Sequence, residues 1–149
     1  MTLQNIDDAL LARTGAAAAW VKGRNGLDQW SIAREMMFTG IVLVELSLIL
    51  DALLTPYAAQ TGFTMLFMGL FLWIYRRAMQ SLEQMSSSAG AAIARRGEFF
   101  SRMFGLGFQI LLLITINDVQ DVLFMVGLLF MEMHGYFKAC DPGAPMPNA

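Results

Sequence analysis

The stretch MMFTGIVLVELSLILDALL, residues 36–54, decides the fold class, because its side chains are almost continuously apolar. A bilayer has a hydrocarbon core ~30 Å thick, and an α-helix needs ~20 predominantly apolar residues to cross it. The whole chain has 149 residues, of which 56% are hydrophobic and only 15% are charged. Soluble domains carry about 25% charged residues. The sequence therefore predicts an integral membrane protein.

Three further apolar stretches predict three further spans. Residues 57–75 are long enough to cross, whereas residues 103–117 and 121–138 are slightly short and need snorkelling side chains or a thinned bilayer. The predicted fold is an all-α membrane domain over residues 36–138, with spans at about 36–54, 57–75, 103–117 and 121–138 arranged as two hairpins. Residues 76–102 are expected to form a helical hairpin loop, in which 76–84 continue the second span.

The positions of the basic residues predict the orientation. All ten Lys and Arg residues lie before the first span, in the loop 76–102, or at the very end of the fourth span. Cytoplasmic segments carry such an excess, so both termini and the long loop are expected in the cytoplasm of a bacterial inner membrane. Acidic residues in the loop lower its positive electrostatic potential, which argues against nucleic-acid binding. We expect its basic side chains to contact anionic lipid headgroups: Arg76, Arg77, Arg95, Arg96 and Arg102.

The lead segment, residues 1–35, predicts a short amphipathic helix at the membrane interface. Leu3, Ile6 and Leu10 recur at helical spacing, Asn5 is the expected N-cap, and Gly15 is expected to end the pattern. Aromatic residues mixed with cations then indicate either an interfacial segment or a helix packed on a partner protein. The predicted interfacial anchors are Trp20, Trp30, Trp73 and Tyr75. Residues 139–149 are rich in Pro and Gly, which predicts an irregular cytoplasmic tail.

The polar stretch NDVQD, residues 117–121, predicts a turn between the third and fourth spans. Asn117 tolerates the left-handed backbone that a tight turn uses. One long kinked helix is the alternative, since the stretch has neither Gly nor Pro. In the turn interpretation, Asp118 and Asp121 lie at the outer surface together with Asp51.

Four polar side chains fall inside the predicted spans: Glu45, Gln109, Glu132 and His134. A charged residue at the bilayer centre costs about 2.5–3.5 kcal/mol on insertion scales, so such residues are candidates for function. In one interpretation Glu45 and Glu132 carry protons or cations, and the outer aspartates form a negative mouth. In the other, Glu45 and Gln109 bond to each other and fix helix packing. His134 lies two residues from Glu132 and is expected to face nearly the opposite way.

The chemistry of the side chains excludes several function classes. One His and one Cys cannot build a multi-histidine metal or haem site, an intramolecular disulfide or a convincing catalytic set, so neither a metal nor another cofactor is expected. Small residues are expected to let helices approach closely, among them Gly40, Ser47, Gly105 and Gly127.

The sequence as a whole favours a non-enzymatic structural or assembly subunit of a larger envelope complex, such as a secretion, conjugation, respiratory or photosynthetic machine. Its expected partners are the lipid bilayer and other membrane subunits or copies of itself. The first alternative is a small proton- or cation-linked transporter or channel that uses Glu45 and Glu132. The second alternative is a holin-like pore former.

Overall fold

The computed structural model describes residues 2–54, 58–84, 99–114 and 116–140, with the side chains of 58–61 and 81–84 excepted. These residues form five α-helices and no strand, which confirms the all-α prediction for this part of the chain. The helices are α1 (Leu3–Asn25), α2 (Gln29–Leu54), α3 (Ala58–Gln84), α4 (Phe99–Leu113) and α5 (Val119–Ala139).

Helices α2 and α5 form the centre of the fold and pack against each other more extensively than any other pair of described helices. They meet most closely at two glycines. A Cβ atom on Gly127 would lie 2.8 Å from the carbonyl oxygen of Gly40 and 2.9 Å from the backbone nitrogen of Val44. Only glycine fits both positions without movement of the backbone, so the two helices touch almost main chain to main chain.

Two hydrogen bonds flank this crossing and show that α2 and α5 run antiparallel. Ser47 Oγ donates to the carbonyl oxygen of Gln120 at 2.6 Å, near the end of α2 and the start of α5. His134 Nδ1 lies 2.9 Å from the carbonyl oxygen of Ala33, near the start of α2 and the end of α5. The carbonyl can only accept, so Nδ1 carries the proton.

The remaining helices attach to this pair. Helix α3 packs on α2, and α4 packs on α5. Phe71 of α3 also reaches Phe124 of α5, with ring centroids 6.0 Å apart. One buried apolar cluster joins α2 and α3, and residues of α5 also pack against it: Met37, Ile41, Val44 and Phe71. Among the described residues, the packing order is therefore α3, α2, α5, α4, with α1 lying against α2, α4 and α5.

Helix α1 differs from its prediction in length, cap and buried face. It passes through the buried Gly15 without a break, because one helical glycine costs only about 1 kcal/mol relative to alanine. Its N-cap is Thr2, whose side chain accepts from the Asn5 N–H at 3.3 Å, and not Asn5. Leu3 is 64% exposed. The buried face comprises Asp7, Leu11, Thr14, Gly15 and Ala18.

Helix α2 begins at Gln29, before the predicted start of the first span at residue 36. Gly26 ends α1 in a left-handed conformation with φ of 72°. Asp28 then accepts the Ser31 N–H at 2.7 Å through Oδ1 and so caps α2. This hydrogen bond lowers the pKa of the Asp28 carboxyl from its ordinary value of 3.8.

Two of the described helices are long and apolar enough to cross a membrane, α2 and α5. In the apolar 18-residue stretch of each helix, only 28% is buried for α2 and 33% for α5. Both helices therefore present apolar surface outward. Helix α4 is apolar but has 15 residues, fewer than a usual span, and ends at Leu113 instead of residue 117. The start of the predicted second span lies outside the described residues. The four-span topology and the cytoplasmic termini stay predictions.

Candidate functional site

A buried ion pair joins α1 to α4. Arg102 Nε donates to Asp7 Oδ1 at 2.9 Å, and Arg102 Nη2 donates to Asp7 Oδ2 at 2.7 Å. The two side chains are only 2% and 5% exposed. The guanidinium carbon also lies 5.4 Å from the ring centroid of Tyr136 on α5, within the range of a cation–π contact. Three helices thus meet at one arginine.

The ion pair corrects the prediction for Arg102, which was expected to contact lipid headgroups. A guanidinium that is 2% exposed and bound at two nitrogens has no surface to offer a headgroup. Asp7 lies on the buried face of α1. A sequence signal for its burial was present, since Asp7 shares a helical face with the buried Leu11, Thr14 and Ala18 at spacings of four, seven and eleven residues. Its partner is 95 residues away in the chain and left no such signal.

Two cavities share the lining residue Glu132. The first, of about 380 Å³, is lined by side chains of α2, α3, α4 and α5, and we call it the lateral cleft. The second, of about 300 Å³, is lined by α1, α4 and α5, and we call it the inner cavity. Glu132 lines both. Any Cβ atom at Gly105 of α4 would overlap the Glu132 carboxylate, so this glycine makes room for the acid.

The other predicted polar residues of the third and fourth spans bond across helices. Gln109 Nε2 donates to the carbonyl oxygen of Leu128 at 3.2 Å and so joins α4 to α5. The expected bond between Gln109 and Glu45 is therefore corrected: Gln109 is satisfied by the helix beside it. His134 bonds to Ala33 on α2, whereas Glu132 packs against Gly105 on α4.

Glu45 stands apart from these contacts. Both of its carboxylate oxygens are shielded from solvent, and neither has a hydrogen-bond partner among the described residues. Glu45 lines neither the lateral cleft nor the inner cavity. A buried carboxylate without a bond is costly, which makes Glu45 the least satisfied polar group that the structure describes in α2.

The acidic turn before α5 has a structural role. Asp121 Oδ2 accepts the backbone N–H groups of Asn117 at 3.0 Å and Asp118 at 3.3 Å. A carboxylate at this end of a helix also interacts favourably with the helix dipole. The chain does break between α4 and α5, but Asn117 is not left-handed, because no non-glycine residue in the described ranges has a positive φ. Asp51, the third predicted outer acid, is partly exposed.

The surface positions of the other predicted residues vary. Trp20 is 62% exposed, and the Arg24 guanidinium lies 5.3 Å from its ring centroid. Trp30 is half-buried against the cluster around Ala18 and Phe137. Trp73, Arg76 and Arg77 are exposed and Tyr75 is half-buried, while Arg95 and Arg96 lie outside the described residues. Within the described ranges, no group of three His, Cys, Asp or Glu side chains is placed to hold a metal ion.

Comparison with known proteins gives no relative. No protein-family model, curated protein or solved structure matches the chain.

Proposed function

We propose that this chain is a non-enzymatic membrane subunit whose helices assemble with other membrane proteins or with copies of itself. The observation that supports the proposal is the outward apolar surface of α2 and α5. The apolar 18-residue stretches of these helices are only 28% and 33% buried. A soluble protein would bury its most apolar helices in its core. Lipid and neighbouring subunits are the environments that suit such surface.

The interior polar contacts support a structural role. Ser47 and His134 join α2 to α5, Gln109 joins α4 to α5, and the Asp7–Arg102 pair joins α1 to α4. Each of these hydrogen bonds joins two helices. In a bilayer such contacts contribute about 0.6 to 2 kcal/mol each. A scaffold needs this arrangement, whereas a catalytic site would leave reactive groups directed at a substrate.

The membrane arrangement that we propose has four spans, with both termini and residues 76–102 in the cytoplasm of a bacterial inner membrane. The distribution of Lys and Arg residues supports it, since the short connections between the first and second spans and between the third and fourth spans contain none. The antiparallel α2 and α5 are consistent with an even number of crossings. The exposed Arg76 and Arg77 of α3 are then available to anionic headgroups.

The native mass of the protein tests assembly. The untagged chain is extracted from its host membrane in a mild detergent, its particle mass is measured, and its co-purifying proteins are identified. We expect a particle much larger than one 16.5 kDa chain. A monodisperse monomer with nothing attached would contradict the proposal.

A pair of isosteric substitutions makes this test specific. Glu45→Gln replaces the buried carboxyl group in the apolar part of α2 by an amide, at a position where a neighbouring subunit is the candidate source of a hydrogen bond. Glu35→Gln makes the same chemical change at an exposed position of the same helix. We expect Glu45→Gln to weaken the assembly and Glu35→Gln to leave it intact, with helix content unchanged in both. Equal particle masses for the two variants would remove Glu45 from the interface.

A second candidate function is a small proton- or cation-linked transporter. Its support is the position of Glu132, which lines both the lateral cleft and the inner cavity. An ionisable group with access to two cavities is the element that such a transporter requires. The test is proton or cation flux in liposomes, with Glu132→Gln expected to abolish flux. No flux in the parent protein, or full flux in the variant, would exclude this function.

A further inference from the structure

The lateral cleft lies between the two outer helices of the bundle. Helix α3 packs on α2 and α4 packs on α5, and α3 and α4 make no extensive contact with each other in the described residues. Ala78 near the end of α3 and the exposed Ser101 near the start of α4 line the cleft at one end of the bundle. Toward its other end Phe71 packs against Phe124 of α5, with ring centroids 6.0 Å apart. This contact between α3 and α5 limits the cleft there, so its entrance lies near Ala78 and Ser101.

The two walls of the cleft differ in polarity. The wall that α3 forms is apolar, since Phe71, Ile74 and Ala78 line it. The opposite wall, from α4 and α5, contains apolar residues and also five polar or charged side chains: Ser101, Arg102, Gln109, Glu132 and His134. A uniformly apolar cavity stays dry or takes up apolar molecules, whereas a polar cavity of sufficient size holds water. The polar wall therefore decides what occupies the cleft.

Lipid chains do not suit this polar wall. The bond of Gln109 to the Leu128 carbonyl uses one of the two Nε2 hydrogens, and the Gln109 Oε1 atom can accept two further bonds. Hydrocarbon offers no hydrogen-bond partner, and a polar group left against it costs free energy. Charged residues at membrane depth accordingly face the interior of a bundle or a water-filled cavity.

The cleft is large enough to hold a group of hydrogen-bonded water molecules. Its volume is about 380 Å³. One water molecule occupies about 30 Å³ of the liquid, so there is room for about ten. A buried water makes about three hydrogen bonds. The polar side chains of α4 and α5, together with neighbouring waters, can supply these bonds.

We infer that the lateral cleft is a water-filled vestibule, which enters the membrane domain between Ala78 and Ser101 and reaches Gln109 and Glu132. Its ligands are water and small hydrophilic solutes, because an apolar molecule that displaced water from the polar wall could not replace its hydrogen bonds. The inference rests on the proposed placement of the chain in a membrane. It depends neither on assembly with other subunits nor on transport.

Two cysteine variants of α4 test the inference: Phe108→Cys, in the cleft, and Phe104→Cys, outside it. Both replace an exposed phenylalanine of the same helix, and the two rings are stacked. Phe104 lies nearer the start of α4, so depth in the membrane alone would favour its labelling. Each full-length variant also carries Cys140→Ser and is reconstituted in proteoliposomes that are open to both sides.

The reagent is a water-soluble methanethiosulfonate with a trimethylammonium group, and mass spectrometry follows its attachment. The thiolate is the reactive form of cysteine, and it forms in water but not in hydrocarbon. We therefore expect Phe108→Cys to be labelled at least about ten-fold faster than Phe104→Cys. Equal rates would overturn the vestibule. If both variants react as fast as a thiol in water, the membrane placement fails as well, whereas slow labelling of both overturns the vestibule alone.

Narrowing the entrance provides a second test. Ala78→Phe fills the cleft from α3 and should slow the labelling of Phe108→Cys several-fold. Gln80→Phe introduces the same side chain at an exposed position of α3 and should leave the rate unchanged. Leu128→Cys, which lines the cleft from α5, replaces Phe108→Cys if that variant fails to fold. Labelling that Ala78→Phe does not slow would overturn an entrance between Ala78 and Ser101.

Discussion

Removing either partner of the Asp7–Arg102 pair is expected to destabilise the protein strongly, whereas removing both is not. The pair is bidentate, with nitrogen–oxygen distances of 2.9 and 2.7 Å. Both side chains are shielded from water, at 2% and 5% exposure. The substitutions that test this are Asp7→Leu, Arg102→Leu and the double variant. Arg76→Leu, at an exposed position of α3, is the control for loss of a positive charge.

The magnitude follows from the burial of the pair. With charge centres roughly 4 Å apart, the attraction is about 4 kcal/mol at an effective dielectric constant of about 20. Desolvation offsets much of this gain, so the pair adds little net stability compared with two apolar side chains. A single substitution loses the attraction but leaves one buried charge, which costs about 3–5 kcal/mol.

The two single variants should differ in a way that the surroundings predict. Arg102→Leu leaves the Asp7 carboxylate buried without its guanidinium partner. Asp7→Leu leaves Arg102 with Glu132 beside it. We therefore expect Arg102→Leu to be the more damaging change. The double variant should lie within about 1 kcal/mol of the parent, since apolar replacement of a buried pair is often neutral.

The assay is equilibrium unfolding in mixed micelles of dodecyl maltoside and sodium dodecyl sulfate, followed by far-UV circular dichroism. The four free energies of unfolding give the coupling energy of the pair. Arg76→Leu should change the free energy of unfolding by no more than about 0.5 kcal/mol. Single variants that cost less than about 1 kcal/mol, or costs that simply add in the double variant, would refute a buried and coupled pair.

Three further predictions concern the helix contacts. Gly127→Ala should cost about 1–3 kcal/mol in the same unfolding assay, because its Cβ would lie 2.9 Å from the backbone nitrogen of Val44. Gly107→Ala is the tolerated control, since no atom lies within 4 Å of the added Cβ. Equal costs for the two variants would contradict the close crossing of α2 and α5. Ser47→Ala should cost about 0.6 to 2 kcal/mol through loss of its interhelical hydrogen bond, and a neutral result would show that this bond contributes nothing. The start of α2 should lose stability only in acid. Because folding lowers the pKa of Asp28 below 3.8, the Asp28 cap stabilises α2 fully above pH 3.8. This stabilisation is lost as the pH falls through the lower pKa of the folded state. Trp fluorescence of a variant that retains only Trp30 should show this step between about pH 4 and 2, and Asp28→Asn, which keeps the cap but has no proton to gain, should not.

The helices themselves were predictable where the side-chain pattern was long and regular. Residues 36–54 lie in one apolar helix, and α3 continues through Arg76 to Gln84 as expected. The boundaries were less predictable. Gly15 did not end α1, and residues 29–35 joined α2, because packing outweighs the small cost of a helical glycine and a capping aspartate sets the start of the next helix.

The sequence by itself determined the helical class, the apolar surface of α2 and α5 and the asymmetric placement of basic residues, since these depend on composition and local spacing. Only the tertiary structure decided which polar residues meet. It placed Arg102 against Asp7 and Tyr136. It also showed that Gln109 donates to the Leu128 carbonyl instead of bonding to Glu45, and that Glu132 lines two cavities. The physical reason is that burial and partner choice depend on which helix faces which, and a buried charge is tolerated only where a distant part of the chain brings its counterpart.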